Sequence, residues 1–530
     1  MATNQKKIQI YDSTLRDGAQ GEGISFTVED KLAILLELDN FGVAYIEAGN
    51  PGSNPKDLEF FKRASKLKLK NARLTAFGST RRKDTTCEDD IGIQSLLEAN
   101  TQTVAIFGKC WDLHVTNVLG ISLPENLKMI EETIRFFHTK GKEVVFDAEQ
   151  FFDGYKANPD YAIAALDAAV KNGASALVLC DTNGGCFPEE ITEITTAVRK
   201  KFAKTKVAIG IHCHNDSGLA TANSLAAVNS GATQVQGTII GFGERTGNAN
   251  LAVIIPNLQL KKKYSCVPDL TKLTTTCNRI AEITNIALDN LMPYVGKYAF
   301  SHKAGMHIDG VLKIPKSFEH IDPNHVGNER RFALSEISGR KIIAEKVNGY
   351  QLGLDKNSTA IAKILARVKE LEHNGYIFEG ADASFFIVVL KTLELYKPLF
   401  ELISFKVINE MPAIEDTTAT AVIKVRVNNE AKLATGEGRG PVNALDIALR
   451  KALCSFYPIL SSVSLIDYKV RVLDCNNATA SRVRVLITST DGTNTWSTVG
   501  VSRDIVKASY LALVESMEYK LIMDKTKPLA

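Results

Sequence analysis

Short, β-branched apolar runs recur at roughly 30-residue spacing through the first half of the chain, and no other feature restricts the fold as much. They are KIQIYD (7–12), VAYIEAG (43–49), RLTAFG (73–78), TVAIFG (103–108), KEVVFDA from 142, SALVLCD from 175, VAIGIHCH from 207 and TQVQGTI from 233. Each is close to continuously apolar, as a strand buried on both faces of a parallel sheet must be. Between them lie amphipathic stretches such as VEDKLAILLELDNFG (28–42) and PENLKMIEETIRFFHTKG (124–141), each reaching a glycine suited to a helix C-terminus. Eight strands alternating with helices predict an α/β fold, a (β/α)8 TIM barrel over residues 1–265. The competing doubly wound sheet needs a G-x-G-x-x-G turn after its first strand, and DSTLRDGAQGEG has none.

The beat then breaks. Residues 266–388 read as a helical connector, with CNRIAEITNIALDNLM (277–292) and STAIAKILARVKELEHNG (358–375) as its helices. From about 390 the pattern alternates as strands do, in FKVINE, ATAVIKVRVNN, YKVRVLDC and RVRVLITST. Two stretches there, EAKLATGEGRGPVNALDIALRKAL (430–453) and TNTWSTVGVSRDIVKASYLALVES (493–516), share the order strand, glycine turn, amphipathic helix. Residues 389–530 therefore read as an α+β domain of two βββα copies, with an equivalent pocket at each glycine turn.

Composition narrows the function classes. A chain of 530 residues, 45% hydrophobic and 23% charged, builds large soluble cores. Its Lys+Arg 63 against Asp+Glu 60 leaves +3, so bulk charge points to no nucleic-acid or membrane-surface partner. Nine cysteines, odd in number and without a C-x-x-C spacing, disfavour a disulfide framework and fit a reducing compartment. MATNQKKIQIYDSTL enters a strand at about Ile8 without a charged-then-apolar leader, and no window reaches a membrane span, so a cytoplasmic location is expected.

Reactive groups of a parallel barrel sit at the C-terminal ends of its strands, and those ends are polar here. His212 and His214 are two apart in one strand, so both imidazoles leave the same face, as metal ligands do; the alternative is a structural histidine with its bonds satisfied. Asp17, in the loop after strand one, and Asn248, in the loop after strand eight, can add oxygen ligands once the barrel closes. Such a mixed set suits Zn2+, Mn2+ or Mg2+ acting as a Lewis acid. Arg16 beside Asp17 can stabilise an alkoxide, or form a structural salt bridge to Asp17 or Glu47. Glu47, Glu149 and Thr182 all lie at strand ends, and a dry carboxylate there is a candidate base.

STLRDGAQ, HCHND and GFGERTGNANL together resemble the DRE-type TIM-barrel metal-dependent acyl-CoA synthases, the 2-isopropylmalate, homocitrate and citramalate synthases. EAGNPGSNPKDLEFF, FDAEQFFDGYKANP, LCDTNGG, SHKAGMHIDGV and HVGNERRFALSEISGR are most similar to the citramalate branch, and the resemblance covers essentially the whole chain. It implies that Asp17, His212, His214 and Asn248 hold the metal, that Arg16 polarises the keto oxygen, and that Thr182 holds the oxo-acid carboxylate. It also implies that Glu149 is a catalytic glutamate and that His302 reaches into a neighbouring barrel of a homodimer. Many relatives have E-D-x-x-R or a tyrosine near Glu149, where this chain has Asp147 and Phe151.

The activity so implied is condensation of acetyl-CoA with pyruvate and water to citramalate, with isoleucine as inhibitor at the GEGRGP and VGVSRD turns. Two alternatives stand beside it: a branched 2-oxo acid as substrate, as in 2-isopropylmalate synthase, and an amino-acid sensor with a vestigial barrel.

Overall fold

The structure, a computed structural model, describes residues 5–332, 340–414, 417–473, 481–526 and 528. All eight expected strands form: β1 (Gln9–Asp12), β2 (Tyr45–Glu47), β3 (Arg73–Ser79), β4 (Thr103–Lys109), β5 (Glu143–Glu149), β6 (Ala176–Asp181), β7 (Ala208–Cys213) and β8 (Gln234–Gly237). They pair in parallel and in order, and β8 returns to β1 with Gln234 opposite Gln9 and Gly237 opposite Asp12, closing the barrel. Helices α1 (Val28–Phe41), α2 (Pro55–Ala64), α3 (Ile91–Glu98), α4 (Leu123–Thr139), α5 (Phe151–Ala157), α6 (Pro159–Lys171), α7 (Pro188–Lys201) and α8 (Ala220–Asn229) occupy the connections.

Local chemistry sets the helix ends. Thr27 and Asp30 form a reciprocal capping box at the start of α1, and Gly42 stops it in the left-handed conformation at φ 95°. Ile34, Leu35, Leu38 and Phe41 of α1 are buried in the layer between strands and helices, each contributing about 1.5–3 kcal/mol. A second, smaller apolar cluster of Tyr11, Tyr45, Ala105, Val145, Ala176, Val178 and Cys180 is contributed by the strands themselves and fills the barrel interior. The barrel interior is therefore packed with side chains, and a cleft opens at the C-terminal ends of its strands.

After α9 (Leu251–Pro256), α10 runs over Leu273–Ile283 only, shorter than the helix expected to reach 292. Asn285 adopts φ 54°, its N–H bonding to Glu282 O (3.1 Å) while Ile286 N bonds to Ala281 O (3.0 Å). That is a Schellman stop, with asparagine in the place usually held by glycine, so apolar spacing beyond it does not make helix.

The chain divides into two compact units, Met1–Phe300 with Ile321–Arg330, and Ser301–His320 with Arg331–Ala530. The second contains a short parallel pair, β9 (Ser301–His302) and β10 (Arg331–Phe332), with α11 (Gly305–Lys313), α12 (Arg340–Gly349), α13 (Thr359–His373) and α14 (Asp382–Thr392). Residues 333–339 of the HVGNERRFALSEISGR motif, and Cys475, lie outside the described residues. The other eight cysteines are free thiols.

Two antiparallel sheets follow, β11 (Glu401–Ile414), β12 (Thr417–Val427) and β13 (Glu430–Gly438) with α15 (Pro441–Cys454), then β14 (Ser464–Val472), β15 (Val483–Thr490) and β16 (Thr495–Ser502) with α16 (Ile505–Met523). The duplication is exact at the packing contact. A Cβ on Gly436 would meet Ala444 O and Ala448 N, and one on Gly500 would meet Ala508 O and Ala512 N, at the same offset throughout. In each copy the third strand is bare there so that the helix can lie against it. Gly436→Ala and Gly500→Ala are each expected to lower the stability of this unit by about 1–3 kcal/mol in denaturant titrations. Unchanged midpoints would show that the helices can back away. Among the described residues, no helix is long and apolar enough to cross a membrane.

Candidate metal centre and active site

The opening loop is tied across the barrel seam. Ser13 N bonds to Gly237 O at 2.8 Å, and Ile239 N donates to Thr14 Oγ1 at 3.1 Å. Asp12 holds the turn through Thr14 N and Thr14 Oγ1, and its burial pushes its own pKa up to about 7. This ladder brings Arg16 and Asp17 over the ends of β7 and β8.

There, Asp17 Oδ2 lies 3.6 Å from His212 Nε2 and 3.7 Å from His214 Nε2, and Asp17 Oδ1 accepts from Asn248 Nδ2 at 2.8 Å. All four residues are buried. Burial, and for His214 also the neighbouring His212, lowers the pKa of both imidazoles, that of His214 to about 4. Burial opposes ionisation of Asp17, but Arg16 and the two histidines outweigh it and hold the carboxyl well below the usual range. A carboxylate and two neutral imidazoles result, the protonation states a divalent cation requires.

The distances agree with that chemistry. The nitrogen–oxygen separations are too long for hydrogen bonds, yet one ligand atom from each of Asp17, His212 and His214 lies within 4.8 Å of the others. Asn248 Oδ1 is buried with no hydrogen-bond partner among the described residues, a cost that a cation would relieve. The loop is shaped for it: a Cβ on Gly243 would come within 2.1 Å of Asn248 Nδ2, so GFGERTGNANL needs glycine there. The residues fit a metal centre.

Arg16 is held on two sides. Its Nε donates to Glu47 Oε2 (2.5 Å), its Nη1 to Asp17 Oδ2 (2.8 Å), and its plane lies over the Phe77 ring at 4.0 Å. Burial would lower its pKa, but Glu47 and Asp17 raise it further, so the guanidinium stays charged. Neither bond uses Nη2. Glu47, offered by the sequence both as a candidate base and as a salt-bridge partner of Arg16, lies beneath Arg16. It is fully buried, with Oε1 accepting from Tyr11 Oη (2.7 Å) and Oε2 from Ser13 Oγ (2.6 Å) as well as Arg16. With its oxygens occupied, it anchors the arginine.

These groups border a cleft of about 690 Å³ at the C-terminal ends of the strands. Arg16, Asp17, His212, His214, Glu149 and Thr182 line it, together with Phe77, Phe107, Asp147 and Cys180. Glu149, last in β5, is paired with Lys109 Nζ, last in β4, at 2.6 Å. Gln150 then takes φ 56°, turning the chain into α5 and donating its N–H to Thr182 Oγ1 at 2.8 Å. With its oxygen accepting, the Thr182 hydroxyl keeps its proton as a donor. Arg245, bidentate to Asp216, clamps Thr182 O at 2.7 Å. Asp147 is buried on the floor, where desolvation and the nearby Glu47 push its pKa up.

Of the expected residues, Arg16, Asp17, Glu149, Thr182, His212, His214 and Asn248 come together at one barrel mouth. His302 belongs to the second unit, where its Nε2 lies 3.0 Å from Glu319 Oε1. Lys109 and Gln236 were absent from the sequence-based set; Lys109 is the last residue of β4, where reactive groups of a barrel sit, whereas Gln236 alternates with Gln234 in the QVQG of β8 and nothing in that pattern singles it out.

Comparison with known proteins agrees over the whole chain. The HMGL-like family matches residues 7–284, the homocitrate synthase post-HMGL domain-like family 294–375, and the LeuA allosteric (dimerisation) domain 379–521. The (R)-citramalate synthase of Aquifex aeolicus is 49% identical over 98% of this chain and 99% of its own length. Those of Synechocystis sp. and Geobacter sulfurreducens are 49% and 48% identical over 98% and 97% of this chain, each covered over 97% of its length. A probable 2-isopropylmalate synthase from Methanopyrus kandleri is 31% identical over 96% of this chain and 98% of its own. With that margin of identity across the barrel and everything after it, the chain belongs to the (R)-citramalate synthase family, a branch of the HMGL-like barrel enzymes.

Proposed function

We propose that the protein condenses acetyl-CoA with pyruvate and water to give (R)-citramalate and CoA. The observation that carries the reading is the convergence of Asp17, His212, His214 and Asn248 beside Arg16, Thr182 and Glu149 in one cleft, in a chain of this family.

Asp17, His212, His214 and Asn248 would hold the cation, Mn2+, Zn2+ or Mg2+, which when bound supplies Lewis-acid polarisation of a 2-oxo acid. The Thr182 hydroxyl, its oxygen already occupied by Gln150 N–H, donates to the substrate carboxylate. Glu149, steadied by Lys109, takes a proton from the acetyl methyl group. The carbon so freed attacks the keto carbon, and one C–C bond forms. Negative charge moves onto the former keto oxygen, where the Arg16 guanidinium is already oriented and needs no reorganisation. That oxygen is then protonated, and water cleaves the thioester, releasing CoA. His302 would complete the site from the partner of a homodimer. Isoleucine at the GEGRGP and VGVSRD turns of 389–530 would be the effector, and the chain would work in the cytoplasm.

Initial rates with pyruvate, 2-oxobutyrate and 2-oxoisovalerate, read by thiol release with and without isoleucine, test this reading. Pyruvate is expected to lead and isoleucine to inhibit. One methylene in a pocket changes specificity by about 10- to 200-fold, so the ranking is decisive. A preference for the branched acid would reassign the substrate, and no thiol release would leave only a sensor.

A further inference from the structure

Gln236 is brought beside a proposed metal ligand by strand register. His212 of β7 is the pairing partner of Gln236 of β8, and partners across a parallel ladder point their side chains to the same face. Gln236 is fully buried in the barrel, and both ends of its amide are bonded. Its Oε1 lies 3.0 Å from His212 Nδ1, and its Nε2 donates to Asp147 Oδ1 at 3.1 Å. Asp147 Oδ1 accepts whether or not the other carboxyl oxygen carries a proton. The amide nitrogen is thus committed to Asp147, and only the amide oxygen faces His212. That oxygen cannot donate, so the proton of the neutral imidazole sits on Nδ1 and the lone pair on Nε2, which is the nitrogen 3.6 Å from Asp17. The second histidine differs: His214 Nδ1 is buried without a hydrogen-bond partner among the described residues.

We propose that Gln236 is a positioning residue that selects the Nδ1–H tautomer of His212 and so prepares Nε2 as a cation ligand, with Asp147 on the cleft floor fixing the direction of the amide. His212 is the ligand preorganised before the cation arrives, while His214 is oriented by binding. This inference rests on the metal-centre reading above, deepening it by naming what sets one ligand.

Two measurements on the full-length protein test it. Mn2+ titrated into metal-free wild type and Gln236→Leu, followed by calorimetry, is expected to give a Kd about 10- to 100-fold weaker in the variant, the usual cost of losing a group that orients a ligand. In 15N-histidine-labelled, metal-free protein, His212 is expected to be a single Nδ1–H tautomer in wild type and a mixture in Gln236→Leu. Asp147→Ala, which frees the amide nitrogen so that the Gln236 amide can turn over, is expected to give a mixture as well, and it decides the matter if the leucine variant does not fold. Wild-type Mn2+ affinity in Gln236→Leu, mixed tautomers in wild type, or a single tautomer in Asp147→Ala would overturn the proposal. If wild type takes up no Mn2+, the metal reading falls by itself, while the tautomers still decide whether Gln236 orients His212.

Discussion

Asp17→Ala is expected to abolish turnover, with thiol release falling by at least about 10³-fold, and to cut Mn2+ affinity by more than about 100-fold. The size follows from the geometry. Asp17 is the one carboxylate in the cluster, its Oδ2 faces both imidazoles and Arg16, and its Oδ1 holds Asn248. Removing it leaves two neutral rings beside the Arg16–Glu47 ion pair, so the anionic ligand that would balance a cation is gone. Thermal melts should show a folded protein, because the loop's ties to Gly237 and Ile239 across the seam do not use the Asp17 side chain. Dialysis of wild type against a chelator should reproduce the loss, and added Mn2+ should reverse it in wild type only. Turnover within tenfold of wild type in the alanine variant would remove Asp17, and with it the centre, from the mechanism.

Arg16→Lys carries the second large effect, a drop in kcat of about 10²- to 10³-fold, from a substitution that keeps the charge. A lysine ammonium is a point charge with no planar fork. It cannot meet Glu47 and Asp17 at once while lying over Phe77, as the guanidinium does at 2.5, 2.8 and 4.0 Å. The loss should fall on kcat more than on KM for pyruvate, since the charge it answers develops only as the new bond forms. Glu47→Gln is expected to move kcat in the same direction by a smaller factor, because it loosens the arginine without removing it. If Arg16→Lys retained kcat within about fivefold, Arg16 would be a strut between Asp17 and Glu47 and nothing more.

Much of this molecule is legible in its residues. Strand and helix declare themselves by spacing, two residues to a face in IHCH and between three and four in KLAILLELDNF, because those periods are properties of the backbone. The paired histidines therefore point one way whatever surrounds them, and the two glycine-turn segments predict a duplicated domain that the matching Gly436 and Gly500 contacts bear out. The helix expected to reach 292 failed because the left-handed Asn285 stopped it, and apolar spacing carries no signal for that.

What the residues alone determined is the kind of barrel and the chemical character of its rim. The strand pattern is local, and a strand end crowded with Asp, His, Arg and Glu inside an apolar run has little to gain from structure alone. What only the tertiary structure decided is who touches whom. Thr14 meets Ile239 across 225 positions, Asp17 reaches Asn248 across 231, and Gln236 meets both His212 and Asp147. Closing eight strands fixes one register for all of them together. The same closure buries Glu47 under Arg16 and leaves Glu149 open to the cleft, although both end their strands in the same way.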